Sequence, residues 1–166
     1  MRTVLTVALA ALLCAAEPAK PPAKSDAPKP PEFTIDDWSF TWTVAKPGDA
    51  QLRIEKTPDT TLVRVSKRIR SVRLTPAEAE AIAPVLAKAD DYAARLRGKD
   101  DADETVTVGR YSIMFQQSAR SGFGLYLSAA SGIGGVALDR GEAKALAAHM
   151  LKAKRMAAFL DARIRF

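Results

Sequence analysis

The sequence has almost none of the residues that build disulfides, thiolate sites or histidine-based catalytic centres. Its 166 residues include one cysteine, Cys14, and one histidine, His149. A lone cysteine has no partner for an intramolecular disulfide and supplies only one ligand to a metal. No local motif places a nucleophile and its base around His149. We therefore expect a protein that is not an enzyme and that has no metal or other cofactor.

A large excess of one charge sign and a membrane-length apolar run are also missing. Lysine and arginine outnumber the acids by 25 to 19, and both signs are mixed along most of the chain. The longest apolar run, residues 3–16, follows Arg2 and ends in small residues before Glu17. It is shorter than the ~20 residues of a membrane-spanning helix. We interpret residues 1–16 as a secretory signal peptide and expect a periplasmic or secreted protein without a membrane span in its mature chain.

The N-terminus has an alternative interpretation as a lipid anchor at Cys14. A bacterial lipoprotein signal requires a small residue directly before the cysteine, whereas this chain has Leu13 there, which favours the cleaved signal peptide. Residues 17–32 then contain six prolines, interleaved with alanine and lysine. Proline fixes φ and removes a backbone donor, so these residues are predicted to form an extended linker.

An internal duplication organises the rest of the chain. Residues 72–96 match residues 136–160 at an offset of 64, and residues 36–44 match residues 100–108 at the same offset. A shared offset in two separate blocks indicates a repeated supersecondary unit.

Each unit is predicted to contain four strands followed by one helix, because alternating apolar and polar residues are interrupted by turn residues. The first repeat is expected at residues 33–97 and the second at residues 98–166, together in one compact domain. The predicted fold class is α+β, with two tandem ββββα repeats whose antiparallel sheets are each covered by a helix. The strands are expected at 38–44, around Leu52 and Ile54, around Val63 and Val65, and at 69–74, then at 105–108, 111–117, 123–128 and 133–138.

The helix starts carry capping signals. Thr75 and Asp139 each precede a glutamate by three residues, Glu78 and Glu142, which is the pattern of a capping box. Pro84 is expected to kink the first helix or to shift its start. The predicted buried stripes are Ile82, Val85, Leu86, Ala89, Ala93 and Leu96, then Leu146, Met150, Ala153, Ala157 and Leu160.

This order of elements resembles that of the Whirly proteins and of PUR repeats over residues 33–162. The resemblance is one of topology, without a shared sequence motif. It implies single-stranded nucleic-acid binding through a sheet, and it assigns a role to no individual residue.

A cationic segment is the candidate ligand site. Between Asp59 and Glu78 the chain has no acid but several arginines and a lysine, which would hold phosphates or another polyanion on a sheet rim. A solvated edge that protects the sheet from aggregation is the alternative interpretation. The second repeat has a glycine-rich stretch in the equivalent place. The candidate residues, including two on the same outward faces, are Arg53, Arg64, Lys67, Arg68, Arg70, Arg73 and Tyr126.

Five other aromatic residues of the predicted strands are expected to face inward, which counts against base stacking as the mode of binding. These are Trp38, Phe40, Trp42, Phe115 and Phe123. His149 takes the place of Val85 on the helix stripe, and we expect it to be a partly buried structural residue. The acidic loop of Asp100, Asp101, Asp103 and Glu104 lacks calcium-loop spacing and is expected to bind no metal.

The chain is thus expected to be an exported binding or interaction module with an unidentified protein or envelope partner. The second hypothesis is binding of single-stranded nucleic acid or another polyanion through the basic rim. The third is an enzyme that uses His149. A homo-oligomer is compatible with all three.

Overall fold

A computed structural model of the protein describes residues 32–36, 38–99, 101–129 and 134–166, with residues 32–36 described by their backbone. The predicted signal peptide and Cys14 lie outside the described residues, as does the predicted linker apart from Glu32. Within the described ranges, no helix is long and apolar enough to cross a membrane.

The strands form two antiparallel sheets in which sequence neighbours pair. The predicted class, α+β with two tandem ββββα repeats, is confirmed. The first sheet has one further strand, β1, which pairs with β2 and was not predicted because it directly follows prolines. The first sheet contains β1 (Glu32–Asp36), β2 (Ser39–Ala45), β3 (Ala50–Lys56), β4 (Thr61–Lys67) and β5 (Arg70–Leu74). The second contains β6 (Ala102–Val108), β7 (Tyr111–Ser118), β8 (Gly122–Ala129) and β9 (Gly135–Leu138).

Each repeat ends in two helices where one was predicted. Both capping boxes are present, with Thr75 and Asp139 as N-caps. The helical path breaks at the equivalent lysines Lys88 and Lys152, whose ψ angles are 13° and 11°, outside the helical range. Pro84 lies within a helix and not at the break. The helices are α1 (Pro76–Ala87), α2 (Ala89–Leu96), α3 (Arg140–Met150) and α4 (Ala153–Arg163).

The second helix of each repeat packs on the sheet of the other repeat. Leu160 of α4 is buried with Phe40 and Ile54 of the first sheet. Tyr92 of α2 stacks on Phe115 of the second sheet, with 3.7 Å between ring centroids. Helices α1 and α3 pack against each other. The predicted stripe residues are all buried except Val85, which is half-buried, so the two repeats share one core.

The capping-box glutamates also tie the repeats together. Glu142 is only 4% exposed, and it accepts hydrogen bonds from Lys67 Nζ at 2.7 Å and from the Asp49 backbone N–H at 3.2 Å. Glu78 mirrors this arrangement, with Arg110 Nε at 2.9 Å and the Tyr111 hydroxyl at 3.2 Å. Each helix start therefore holds a hairpin or strand end of the opposite repeat.

Candidate anion-binding surface on the first sheet

Three arginines lie side by side across the open face of the first sheet. The alternation of β3, β4 and β5 buries one set of side chains against the helices and turns the other set outward. In the register of these strands Arg53 pairs with Arg64, and Arg64 pairs with Arg73. We call Arg53, Arg64 and Arg73 the arginine row. The residues buried behind it are Leu52, Ile54, Val63, Val65, Val72 and Leu74.

One carboxylate serves this row. Glu55 Oε1 lies 2.9 Å from Arg64 Nη1, and its Oε2 lies 3.6 Å from Arg73 Nε. Arg53 instead donates through Nη2 to Gln51 Oε1 at 2.5 Å, which supplies no negative charge. Like charges directly opposite each other on neighbouring strands destabilise a sheet. The row is therefore electrostatically unfavourable as it stands and is suited to an anionic ligand.

Two donors of the row also lack partners. The Nε atoms of Arg53 and Arg64 are buried and make no hydrogen bond in the structure. A buried donor without a partner costs about 1–3 kcal/mol, and such groups are rare in folded proteins. Because both Nε atoms are closed to solvent, an oxyanion that binds between the two guanidinium groups would pair with these donors only after the side chains move.

A groove of about 520 Å³ lies beside the row. Its floor is a second row of paired residues, Gln51, Ser66 and Ser71, which carry hydroxyl and amide groups. Arg53 and Arg64 line one side. The other side is lined by Asp49, Arg68 and Ile69 of the β2–β3 and β4–β5 turns and by Arg70 at the start of β5.

The turn side of the groove is shaped by backbone conformation and by the opposite repeat. Arg68 adopts φ +53°, which is the left-handed region, and its Nη2 lies 3.7 Å from Asp49 Oδ2. The backbone of Asp49 is fixed by Glu142, as is the side chain of the adjacent Lys67. Ile69 is 95% exposed and is apolar, unlike the other described residues that line the groove.

The structure separates the candidate residues into two groups. Arg53, Arg64, Arg68 and Arg70 line the groove, and Arg73 extends the row. Lys67 does not join them, because its position in β4 turns it toward Glu142 in the interior. Tyr126 lies on the second sheet, where its ring covers Gly135 so closely that a Cβ on that glycine would lie 2.3 Å from the ring. It lines a separate depression of about 260 Å³, together with Met114 and Ala137.

Several residues that were not predicted lie in the groove or, like Glu55, beside the arginine row. Ser66, Ser71 and Glu55 share the outward register of the arginines, so strand alternation alone places them there. They were missed because small or acidic side chains do not contribute to a search for positive charge. Asp49 was missed because it lies in a turn whose position depends on Glu142, 93 residues away.

Two burial predictions were wrong. Trp38, expected to face inward, lies in the β1–β2 turn and is 76% exposed. His149 was expected to be partly buried, but it is exposed near the end of α3. The packing of α3 leaves this position on the solvent side, whereas its counterpart Val85 in α1 is half-buried. Phe40 and Phe115 are buried as predicted, while Trp42 and Phe123 are half-buried.

Among the described acidic residues after α2, Glu104 forms an ion pair with an arginine. Glu104 binds Arg95 at 2.7 Å, and this bond lowers the pKa of Glu104. Asp103 is exposed, and Asp100 lies outside the described residues. In the part of the chain that the structure describes, no three histidine, cysteine or acidic side chains are grouped as metal ligands would be.

No protein-family model matches this chain, and no curated protein is similar to it at a significant level. The arginine row and its groove are therefore interpreted from their own geometry and charge.

Proposed function

We propose that this protein is an exported, non-enzymatic binding module whose ligand is anionic and binds to the arginine row of the first sheet. The observation that carries the proposal is the register of Arg53, Arg64 and Arg73, which sets three guanidinium groups side by side with one carboxylate, Glu55, between them. An ion pair that only stabilised the sheet would need one arginine.

The charge of the whole groove supports the same ligand class. Together the row and the turn side contribute five guanidinium groups: Arg53, Arg64, Arg68, Arg70 and Arg73. Among the described residues, two carboxylates lie beside them, Asp49 and Glu55. Arginine presents a planar fork of donors that matches carboxylate, sulfate or phosphate oxygens in pairs.

The protective-edge interpretation accounts for part of this charge. Strand β5 is an edge strand, so Arg70 and Arg73 are placed where cations prevent pairing with another sheet. Arg53 and Arg64 lie on β3 and β4, which have neighbours on both sides. Edge protection gives no reason for arginine at these two positions, whereas anion binding does.

The experiment is a titration of the purified full chain with a fluorescently labelled polyphosphate at several salt concentrations. We expect binding that weakens steeply with salt, because bound cations release counterions from the polyanion. The double variant R53Q/R64Q should lose at least about tenfold in affinity and show a shallower salt dependence. Arg155→Gln is the matched control, since Arg155 is exposed on α4, which packs on the opposite face of the sheet.

The proposal is wrong if the protein binds no polyanion even at low salt. It is equally wrong if R53Q/R64Q binds as tightly as the Arg155→Gln control.

A further inference from the structure

The groove combines two kinds of surface that together narrow the ligand class. Its floor, Gln51, Ser66 and Ser71, offers neutral hydroxyl and amide groups. Arg53 and Arg64 make one side cationic, and on the other side Arg68 and Arg70 outnumber the one described carboxylate, Asp49. A ligand that fits must carry negative charge along both of its edges and hydrogen-bonding groups on the face between them.

The direction of the groove follows from the strand register. The floor residues pair across β3, β4 and β5, so the floor runs perpendicular to the strands. Neighbouring strands are ~4.8 Å apart, so three of them give a track about 10 Å long. Within one strand, Arg53 and Gln51 are two residues apart, or about 7 Å, which sets the spacing from the row to the floor. The track is long enough for a short stretch of a linear polymer.

The lining is unfavourable for nucleobases. None of the described residues that line the groove is aromatic, and the outward-facing aromatic Tyr126 is packed over Gly135 in the second sheet. Proteins that bind single strands stack bases on aromatic rings and place cations along the one edge that carries phosphates. A groove with cations on both sides and a hydroxyl floor does not have that pattern.

Resting on the proposed function, we infer that the ligand is an acidic polysaccharide that lies across β3, β4 and β5. In a ribbon-like chain of acidic sugars, carboxylate or sulfate groups project alternately from the two edges, and ring hydroxyls occupy the faces. The edges then meet the arginine forks on both sides of the groove. The ring hydroxyls exchange hydrogen bonds with Ser66 and Ser71 on the floor.

Ser66 separates this ligand class from others. Its hydroxyl lies on the floor of the groove and makes no side-chain hydrogen bond to another described residue. The hydroxyl of Ser71, in contrast, accepts a hydrogen bond from Arg64 Nη2 at 3.2 Å. Removing the Ser66 hydroxyl therefore leaves the arginines in place. A sugar that bonds to it should lose about threefold to tenfold in affinity, the worth of one hydrogen bond, whereas polyphosphate should not respond.

The test is calorimetric titration of the full chain, at physiological salt, with four probes of similar length: an oligouronate, a sulfated oligosaccharide, a single-stranded oligonucleotide and polyphosphate. A neutral oligosaccharide is the negative control. We expect one of the acidic sugars to bind at least about tenfold more tightly than the oligonucleotide and polyphosphate. Ser66→Ala should weaken only the sugar, and R53Q/R64Q should weaken every probe that binds.

The outcomes distinguish the two proposals. If none of the four acidic probes binds, both the anionic ligand and the sugar class are wrong. If polyphosphate or the oligonucleotide binds as tightly as the sugars through Arg53 and Arg64, anion binding stands and the sugar class is overturned. Preferential sugar binding that survives both R53Q/R64Q and Ser66→Ala would overturn the placement in this groove.

Discussion

Replacing Arg53 by glutamine should make the protein more stable, although arginine-to-neutral changes on a sheet surface are usually close to neutral. Arg53 is opposite Arg64 in the register, and it has no carboxylate partner among the ion pairs of the described residues. Its Nε is buried without a hydrogen-bond partner. Glutamine removes the charge and this donor while it keeps an amide that can reach Gln51.

The magnitude follows from Coulomb's law. Side chains directly opposite on antiparallel strands have Cβ atoms about 5 Å apart, and we take about 6 Å as the separation of the two charges. At that distance an effective dielectric constant between about 40 and 80 gives a repulsion of about 0.7–1.4 kcal/mol. We therefore expect a gain of about 1 kcal/mol in the free energy of unfolding at low salt, equivalent to about 4 °C in Tm for a domain of this size.

The assay is thermal and urea unfolding of the wild type and three variants, monitored by circular dichroism at low and high salt. Arg53→Lys keeps the charge and should give little gain, and Arg155→Gln removes an exposed charge elsewhere and should change nothing measurable. The gain for Arg53→Gln should shrink with salt, because screening weakens the repulsion. Destabilisation by Arg53→Gln, or an equal gain from Arg53→Lys, would refute the idea that the arginine row is electrostatically strained.

Three further outcomes test the contacts around the groove. Glu142→Ala leaves Lys67 Nζ and the backbone N–H groups of Asp49 and Asp139 without their acceptor. Urea unfolding should therefore show a loss of about 3 kcal/mol in the free energy of unfolding, and Glu142→Gln, which keeps an acceptor oxygen, should lose less. Burial would raise the pKa of Glu78, but hydrogen bonds from Thr75 and the charge of Arg110 outweigh it and lower that pKa. The stability that Glu78 contributes is therefore present above its unfolded pKa and is lost as the pH falls through the lower folded value. The free energy of unfolding between about pH 5 and pH 3 should depend less on pH in Glu78→Gln than in the wild type, and an unchanged pH dependence would contradict this. Gly135→Ala should destabilise the protein, because the added Cβ would lie 2.3 Å from the Tyr126 ring, and Tyr126→Ala in the same chain should recover part of the loss; no recovery in a double-mutant cycle would show that another contact is responsible.

The order and type of most elements could be predicted from local sequence. Both capping boxes lie where the sequence predicts them, at Thr75 and Asp139, each of which is followed three residues later by glutamate. The duplication was equally informative for the helices, where Ile82 and Leu146, or Leu86 and Met150, are buried equivalents at the offset of 64.

The offset between equivalent residues of the two repeats is smaller in β3 and β7 than in the helices. Leu52 corresponds to Ile113 by burial and position in the sheet, because the β2–β3 connection is longer than the tight β6–β7 turn. A single offset therefore aligned residues 36–44 and 100–108 by composition, although they are not equivalent in the sheets. Turn lengths, and hence strand registers, are not encoded by local periodicity.

The exchange of helices between the repeats was not predictable from either repeat alone. The stripes of α2 and α4 show that each helix buries one face, but not which sheet receives it. That choice depends on the breaks at Lys88 and Lys152, where the local sequence contains neither glycine nor proline.

The candidate site shows the same division. A run of arginines in residues 64–73 could be recognised as a basic segment, but only the register of β3 against β4 brings Arg53 to its edge. The same register turns Lys67 away from it. Charge content is readable from sequence, whereas the side of the sheet and the pairing of individual charges require the structure.

The most direct test of the anion-binding claim is nuclear magnetic resonance of the arginine side chains during titration of the full chain with inorganic pyrophosphate. The Nε–H groups of Arg53 and Arg64 are buried, so their protons should exchange slowly enough to be observed. If the arginine row binds anions, these two signals should shift first and saturate together, while the signals of Arg155 and Arg163 stay in place. Uniform small shifts of all arginines, or none at Arg53 and Arg64, would contradict the assignment of the first sheet as the ligand-binding surface.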